Sequence, residues 1–166
     1  MGKTYLIRRI LRENPGSYIL IDDYCGEYSE GVLIRSPAEF LKYYKHNKIF
    51  KSWSHSEKFI FDLAFRIGQC FPVILVLDEA SHFGHFNPYL EEIYCRGRHW
   101  QVAAIASAQR IYSLPPVIRS QTQKWYLFQI IEPADLDYCR RVFGFIPDVD
   151  TVLKSLKPHE FIDINL

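Results

Sequence analysis

The chain has 166 residues, of which 48% are hydrophobic and 23% are charged, and its net charge is +1. This composition is typical of one folded globular domain with a sizeable core, and it excludes an intrinsically disordered chain. A nearly neutral protein cannot bind nucleic acid with its whole surface, so any such contact must be local.

Predicted helices and strands alternate along the chain. The predicted helices begin after capping residues or prolines and cover 4–13, 37–46, 54–67, 88–98, a short segment from 114, 133–144 and a last segment from 147. The predicted strands are rich in β-branched and aromatic residues and cover 17–21, 73–77, 102–106, 125–131 and 161–164. This alternation predicts an α/β fold with a mostly parallel sheet, in which ligands bind at the carboxyl ends of the strands.

The first chemical motif is Gly2-Lys3-Thr4, which matches the end of a phosphate-binding loop, G-x-x-x-x-G-K-[ST]. In such a loop the lysine binds the β- and γ-phosphate oxygens, and the threonine hydroxyl is a Mg²⁺ ligand. The helix that follows points its positive end at the anion. The triplet also arises by chance, but the helix that begins at once and a second motif downstream favour phosphate binding.

That second motif is the apolar strand 73–77 with the acidic pair Asp78 and Glu79 directly after it. In a Walker B element Asp78 would hold Mg²⁺ and Glu79 would act as the general base for the attacking water. The alternative is a buried strand with an exposed acidic tip. Because the pair occurs together with Gly2-Lys3-Thr4, it favours an NTPase that transfers a phosphoryl group to water.

Three further residues could contact a nucleotide. Gln109 follows the strand 102–106 and could hydrogen-bond the γ-phosphate or the water, or it could satisfy loop backbone groups. Arg98 or Arg96 could reach the phosphoryl oxygens bound to a neighbouring subunit. Both arginines could equally be solvated cations at the end of a helix.

Two residue sets have less specific patterns. The first has zinc-ligand residue types without a known zinc spacing, so packed or surface histidines are the alternative; it comprises His82, His85, Cys95 and His99. The second is basic and aromatic, and it could form a DNA-facing insertion or a solvated amphipathic helix. This basic and aromatic set comprises Lys42, Tyr43, Tyr44, Lys45, His46, Lys48, Lys51 and Trp53.

The motifs, in this order, resemble those of the HerA–FtsK superfamily of DNA-pumping ATPases, and within it the genome-packaging ATPases of double-stranded DNA viruses. The resemblance covers nearly the whole chain and is carried by GKT, VILVLDEA, RGRHW, ASAQR and the segment from WYLFQI to EPADLDYCRRVFG. It implies a phosphate loop at Gly2, Lys3 and Thr4, a Walker B pair at Asp78 and Glu79, a polar sensor at Gln109, and a trans-acting arginine at Arg98, with Arg96 and Arg119 as weaker alternatives.

The same resemblance implies a RecA-like (ASCE) P-loop NTPase core over 1–166 as a single domain. It implies ATP and Mg²⁺ as ligands, with Thr4 and Asp78 on the metal, and a ring, usually hexameric, around duplex DNA. A capsid or portal vertex would be a further partner. The match begins midway through the loop, so we expect the first strand and half of the P-loop to precede Met1. The 166 residues alone would then bind ATP weakly.

The sequence predicts where the protein is located and allows three hypotheses for its activity. The four scattered cysteines form no Cys-x-x-Cys pair and no apolar run could span a bilayer, so we expect an intracellular or virion-associated protein without a membrane segment. The first hypothesis is an ATP-driven DNA translocase, and specifically one that packages a viral genome. A non-hydrolysing interaction domain or NTPase remnant is the second, and an AAA-like ATPase that remodels proteins is the third.

Overall fold

The structure is a computed structural model that describes residues 2–53 and 57–166. The α-helices of the described residues are α1 (Lys3–Arg12), α2 (Pro37–Tyr43), α3 (Glu57–Gly68), α4 (Pro88–Arg96), α5 (Pro116–Gln121), α6 (Pro133–Val142) and α7 (Val149–Ser155). The strands are β1 (Tyr18–Asp22), β2 (Val32–Leu33), β3 (Ile49–Ser52), β4 (Val73–Leu77), β5 (Val102–Ala106), β6 (Lys124–Leu127) and β7 (Ile162–Asn165). The helix cap predicted at Ser54 lies outside the described residues.

Five strands form a parallel sheet in the order β2-β3-β1-β4-β5. The predicted α/β class with a mostly parallel sheet is therefore confirmed. Strand β5 is an edge, and its far side pairs with no strand in the part of the chain that the structure describes. Because all five strands run the same way, the loops after β1, β4 and β5 meet at one edge of the sheet.

Strands β1 and β4 are fully buried because helices cover both faces of the sheet. Ile19, Ile21, Ile74 and Val76 pack with the apolar side of α1 in one core cluster. The alternate residues of the same strands face the other way, into the larger cluster that contains α3 and α4. This two-residue alternation explains why the run 73–77 shows no polar face in the sequence.

Two of the helix caps predicted from the sequence are confirmed. The Ser36 hydroxyl accepts a hydrogen bond from the backbone N–H of Glu39 at 3.3 Å. The Asn87 side chain accepts hydrogen bonds from the backbone N–H groups of Tyr89 and Leu90 at 3.0 and 3.2 Å. Each cap satisfies amide donors that have no partner within the first turn of its helix, and so fixes where α2 and α4 begin.

Strands β2 and β3 were not predicted, and β3 lies inside the basic and aromatic set. The sequence suggested a helix or a DNA-facing insertion for this stretch. That prediction is wrong for Ile49–Ser52, because these residues form β3, which pairs in parallel with β1 and β2. The Lys51 side chain is only 15% exposed and lies 3.7 Å from a carboxylate oxygen of Asp23. A charged side chain that turns inward hid the alternating pattern of this strand.

The last two strands, β6 and β7, form a separate antiparallel sheet. Strand β6 ends at Leu127, earlier than the predicted residue 131. The residues that follow bond to the end of α7 instead. The backbone N–H of Ile130 donates to Leu153 O at 3.3 Å, and Gln129 Nε2 donates to Lys154 O at 3.0 Å.

Replacing Gly68 with alanine is expected to destabilise the protein by roughly 1–3 kcal/mol. A Cβ atom at Gly68 would lie 2.1 Å from the carbonyl oxygen of Trp100, so α3 or the Gly97–Trp100 turn would have to move. Chemical denaturation measures the change. Gly16→Ala is the matched control because nothing lies within 4 Å of its added methyl group. Equal stability of the two variants would contradict this close packing.

Candidate functional site

The N-terminal end of α1 and the acidic pair after β4 lie at the same edge of the sheet. Lys3 Nζ is 4.0 Å from Glu79 Oε2. Lys3 starts α1, and Glu79 follows the end of β4 by two residues. The sequence motifs that suggested phosphate and metal binding are thus neighbours in space, although 76 positions separate them in the sequence (79 − 3).

The carboxylate of Glu79 is held by hydrogen bonds on one oxygen. Its Oε1 accepts from Ser81 Oγ at 2.8 Å and from the backbone N–H of Gln109 at 3.2 Å. Its own backbone N–H donates to Ser107 Oγ at 3.1 Å, and its φ of 51° is in the left-handed region. Such a backbone conformation is costly for a residue with a side chain and occurs preferentially at functional sites. Glu79 is therefore fixed, with Oε2 directed towards Lys3.

Asp78 is almost completely buried beside Glu79. Its Oδ1 accepts a hydrogen bond from Ser107 Oγ at 2.8 Å. Its Oδ2 is also buried and forms no hydrogen bond with any residue that the structure describes. Burial raises the pKa of Asp78, the Ser107 hydroxyl opposes this effect, and the carboxylates of Glu27, Asp23 and Glu79 add to it.

The surroundings of Asp78 suit a divalent cation. A buried carboxylate oxygen without a hydrogen-bond donor, near other carboxylates, is unfavourable unless a positive charge binds it. Mg²⁺ prefers oxygen ligands and is commonly held by one or two carboxylates together with phosphates of a substrate. The residues present at this position therefore fit the Mg²⁺ ion that the sequence motif implies.

Thr4, the second expected metal ligand, contacts a residue that the sequence did not single out. Its Oγ1 donates to Glu27 Oε2 at 2.7 Å. The loop that carries Glu27 is anchored at both sides, because Glu27 N donates to Asp23 Oδ1 at 2.8 Å and Arg8 donates to Glu27 O at 3.1 Å. This loop follows β1, so the rule that ligands bind at the carboxyl ends of strands could have identified Glu27.

A half-buried histidine, His82, contacts the backbone of Glu79 and the carboxylate of Asp22. His82 Nδ1 lies 2.7 Å from the carbonyl oxygen of Glu79, and Nε2 lies 3.5 Å from Asp22 Oδ2. The ring of Tyr24 stacks on His82 with 4.1 Å between centroids. His82 thus connects β1 to the turn after β4. The described residues contain no group of three His, Cys, Asp or Glu side chains able to hold a metal, so His82, His85, Cys95 and His99 do not assemble a zinc site.

The backbone N–H of Gln109 contacts the site. The arginines singled out in the sequence do not contact the site of their own chain. Arg98 is exposed in the turn before β5, and the acidic pair lies at the far end of that sheet. Five residues of strand span about 17 Å, which is beyond the reach of one side chain. Arg96 pairs with Glu92 at 3.5 Å, and Arg119 lies over the rings of two tyrosines.

The basic and aromatic set does not form one surface. Lys51 turns inward, and Lys48 Nζ lies 3.9 Å from the ring centroid of Tyr18. Lys42 lies over the ring of its neighbour Tyr43 at 5.0 Å. Trp53 remains 58% exposed. The set therefore offers single contacts for a polyanion rather than a continuous groove.

The fold is similar to that of solved NTPase structures. The genome packaging NTPase B204 from Sulfolobus turreted icosahedral virus 2, in complex with AMPPCP, is 23% identical to the chain, with a TM-score of 0.80 over 99% of this chain and 86% of that one. Its complex with ATP-gammaS gives a TM-score of 0.81 at the same identity and coverage. The DNA-packaging ATPase B204 from Sulfolobus turreted icosahedral virus is 21% identical, with a TM-score of 0.71 and the same coverage.

These likenesses establish the architecture of the chain. No protein-family model and no curated protein matches the sequence. The predicted NTPase fold thus receives support from solved structures and not from sequence families. Within the described ranges, no helix is both long and apolar enough to span a membrane.

Proposed function

We propose that the chain is the motor domain of an ATP-driven DNA translocase that packages the double-stranded DNA genome of a virus. The observation that carries the proposal is the meeting of Lys3 with Glu79 at 4.0 Å, beside the buried oxygen of Asp78 that lacks a donor. The fold shared with packaging NTPases supports it.

Each residue at the start of α1 has a role in holding the triphosphate. Gly2 and the first turn of α1 present backbone N–H groups and the positive end of the helix to the phosphates. Lys3 binds the β- and γ-phosphate oxygens, so it exchanges its contact with Glu79 for one with the nucleotide. Asp78 and Thr4 would hold Mg²⁺, and the ion would supply positive charge to the phosphate oxygens.

Glu79 is the general base in this proposal. A water molecule attacks the γ-phosphorus, its proton passes to the Glu79 carboxylate, and the bond to the ADP oxygen breaks. The bonds from Ser81 and Gln109 to Oε1 keep the carboxylate oriented. Gln109 is the sensor of the γ-phosphate in this proposal, because it lies in the loop after β5 and its backbone N–H contacts Glu79.

Arg98 completes the site from a neighbouring subunit. It is exposed and far from the acidic pair of its own chain, which is the placement that a trans-acting arginine requires. We therefore propose a homo-oligomeric ring with duplex DNA in its centre. The ring would be hexameric, as is usual in the HerA–FtsK superfamily that the sequence resembles. Such a motor works in the host cytoplasm or on the virion, at a capsid or portal vertex.

The test is the rate of ATP hydrolysis by the purified protein, with and without duplex DNA. We expect Mg²⁺-dependent hydrolysis that rises severalfold when DNA is added. Hydrolysis that DNA never changes, in a protein that does not retain DNA, would contradict the translocase. Absence of nucleotide binding would favour the non-hydrolysing domain, and stimulation by unfolded protein instead of DNA would favour the AAA-like ATPase.

A further inference from the structure

Asp135 is a buried acidic residue that lies outside the acidic pair and its neighbours. It is in the first turn of α6, and its side chain is only 4% exposed. An acidic residue at this position commonly stabilises the positive end of its own helix. Both oxygens of Asp135, however, accept hydrogen bonds from the loop after β5. Oδ1 accepts from the backbone N–H of Tyr112 at 2.8 Å, and Oδ2 accepts from Arg110 Nε at 3.1 Å.

The same loop also contacts the residue proposed as the general base. Gln109 directly precedes Arg110, and its backbone N–H donates to Glu79 Oε1 at 3.2 Å. The contact with Glu79 and the first contact with Asp135 are therefore made by consecutive residues. The segment 109–112 is thus attached to the acidic pair at one end and to α6 at the other.

The bond to Asp135 is the contact that fixes Arg110. The guanidinium also lies 3.2 Å from Glu132 Oε1, but both of these side chains are half exposed. Ion pairs between exposed groups contribute little, whereas a charge-assisted bond to a buried carboxylate is among the stronger hydrogen bonds. Ile111, between the two residues that Asp135 binds, is itself buried. The loop is therefore held to α6 chiefly through one carboxylate.

We propose that Asp135 is a positioning residue for ATP hydrolysis, because it holds the loop after β5 so that the Gln109 N–H stays on the Glu79 carboxylate. The inference rests on the proposed function, in which Glu79 is the general base. A general base must lie within hydrogen-bond reach of the proton it removes, and a displacement of about 1 Å can lower the rate about 10²-fold. The groups proposed to hold the triphosphate lie on α1 and directly after β4. Asp135 should therefore affect the chemical step and not ATP binding.

The test is Asp135→Asn, with Asp137→Asn as the matched control. Asparagine keeps the shape of the side chain, but its NH₂ group faces one of the two donors, Arg110 or Tyr112. Asp137 is on the same helix and is 60% exposed, so its replacement makes the same chemical change away from the loop. With rates expressed per bound nucleotide, we expect Asp135→Asn to lower kcat about 10–100-fold with KM for ATP unchanged. Asp137→Asn should match the wild type.

Arg110 allows the same link to be tested from its other side, also if Asp135→Asn does not fold. The Arg110 side chain is half exposed, so its truncation leaves solvent rather than an internal cavity. We expect Arg110→Ala to lower kcat with KM unchanged. Arg110→Lys keeps a positive charge near Asp135, so it should recover most of the rate.

A combination with Glu79→Gln separates positioning of the base from a general effect on the fold. We expect Asp135→Asn to lower the single-turnover rate of the wild type but not that of Glu79→Gln, which has no base to misplace. An equal loss in both backgrounds, or an unchanged kcat in Asp135→Asn and Arg110→Ala, overturns the positioning role while the proposed function stands. If the wild type does not hydrolyse ATP, or Glu79→Gln hydrolyses it equally fast, the proposed function fails and the positioning role with it.

Discussion

Replacing Glu79 with glutamine is expected to lower kcat for ATP hydrolysis by about 10²–10⁴-fold and to leave ATP binding intact. The amide oxygen of glutamine can still accept the hydrogen bonds from Ser81 and Gln109, so the side chain keeps its place. It cannot take a proton from water. Because Lys3 loses its carboxylate partner, the affinity for ATP should stay the same or rise.

The measurement is steady-state phosphate release together with equilibrium binding of ATP, with Glu91→Gln as the control. Glu91 is exposed on α4, and its replacement makes the same chemical change away from the site. A Glu79→Gln variant that retains more than about a tenth of the wild-type kcat would show that another group removes the proton. In that case the buried carboxylate of Asp22, on the neighbouring strand, would be the next candidate.

Replacing Asp78 with asparagine is expected to stabilise the protein without ligand and to abolish its stabilisation by magnesium nucleotide. The pKa of Asp78 is raised in the fold, chiefly by burial, so the folded state holds the proton more tightly than the unfolded state. The contribution of this group to stability is therefore full below its ordinary pKa and is lost as the pH rises through the raised value. At neutral pH an ionised Asp78 destabilises the empty site, and asparagine removes that charge.

A thermal unfolding series checks both halves of this expectation. For a chain of this size, a gain of about 1 kcal/mol raises Tm by about 2–4 °C. The difference between the two proteins should shrink as the pH falls towards 3.8. Nucleotide and Mg²⁺ at about 100 times Kd should add about 2.7 kcal/mol to the wild type and almost nothing to Asp78→Asn. A variant that is less stable than the wild type, yet still stabilised by the ligand, would contradict the role of Asp78.

The sequence predicted strands β4 and β5 because their physical signals are local. Strands β4 and β5 begin and end at the predicted residues, since both are short apolar runs without polar interruptions, although only β4 is buried along its whole length. Strand β3 was missed because it contains Lys51 and Ser52, and Lys51 is buried only through its contact with Asp23. Strand β6 was predicted too long because residues 129 and 130 bond to the end of α7, which lies far away in the sequence.

The site was predicted where a motif lies next to a strand or helix end and missed where contacts are long-range. Asp78, Glu79 and Gln109 come together because parallel strands place their following loops at one edge. Lys3 lies beside them because α1 begins at that edge. Glu27 occurs in a loop without a motif, and only the fold brings it to Thr4. Ser107 lies between Asp78 and Glu79 because β5 pairs in register with β4, and the isolated sequence does not reveal that register.

The most direct measurement of the central claim is a crystal structure with AMPPCP and Mn²⁺, in which anomalous scattering locates the metal. We expect the metal on the Asp78 carboxylate and the β- and γ-phosphates within hydrogen-bonding distance of Lys3 Nζ. A well-ordered nucleotide and metal bound away from the start of α1 would contradict the account.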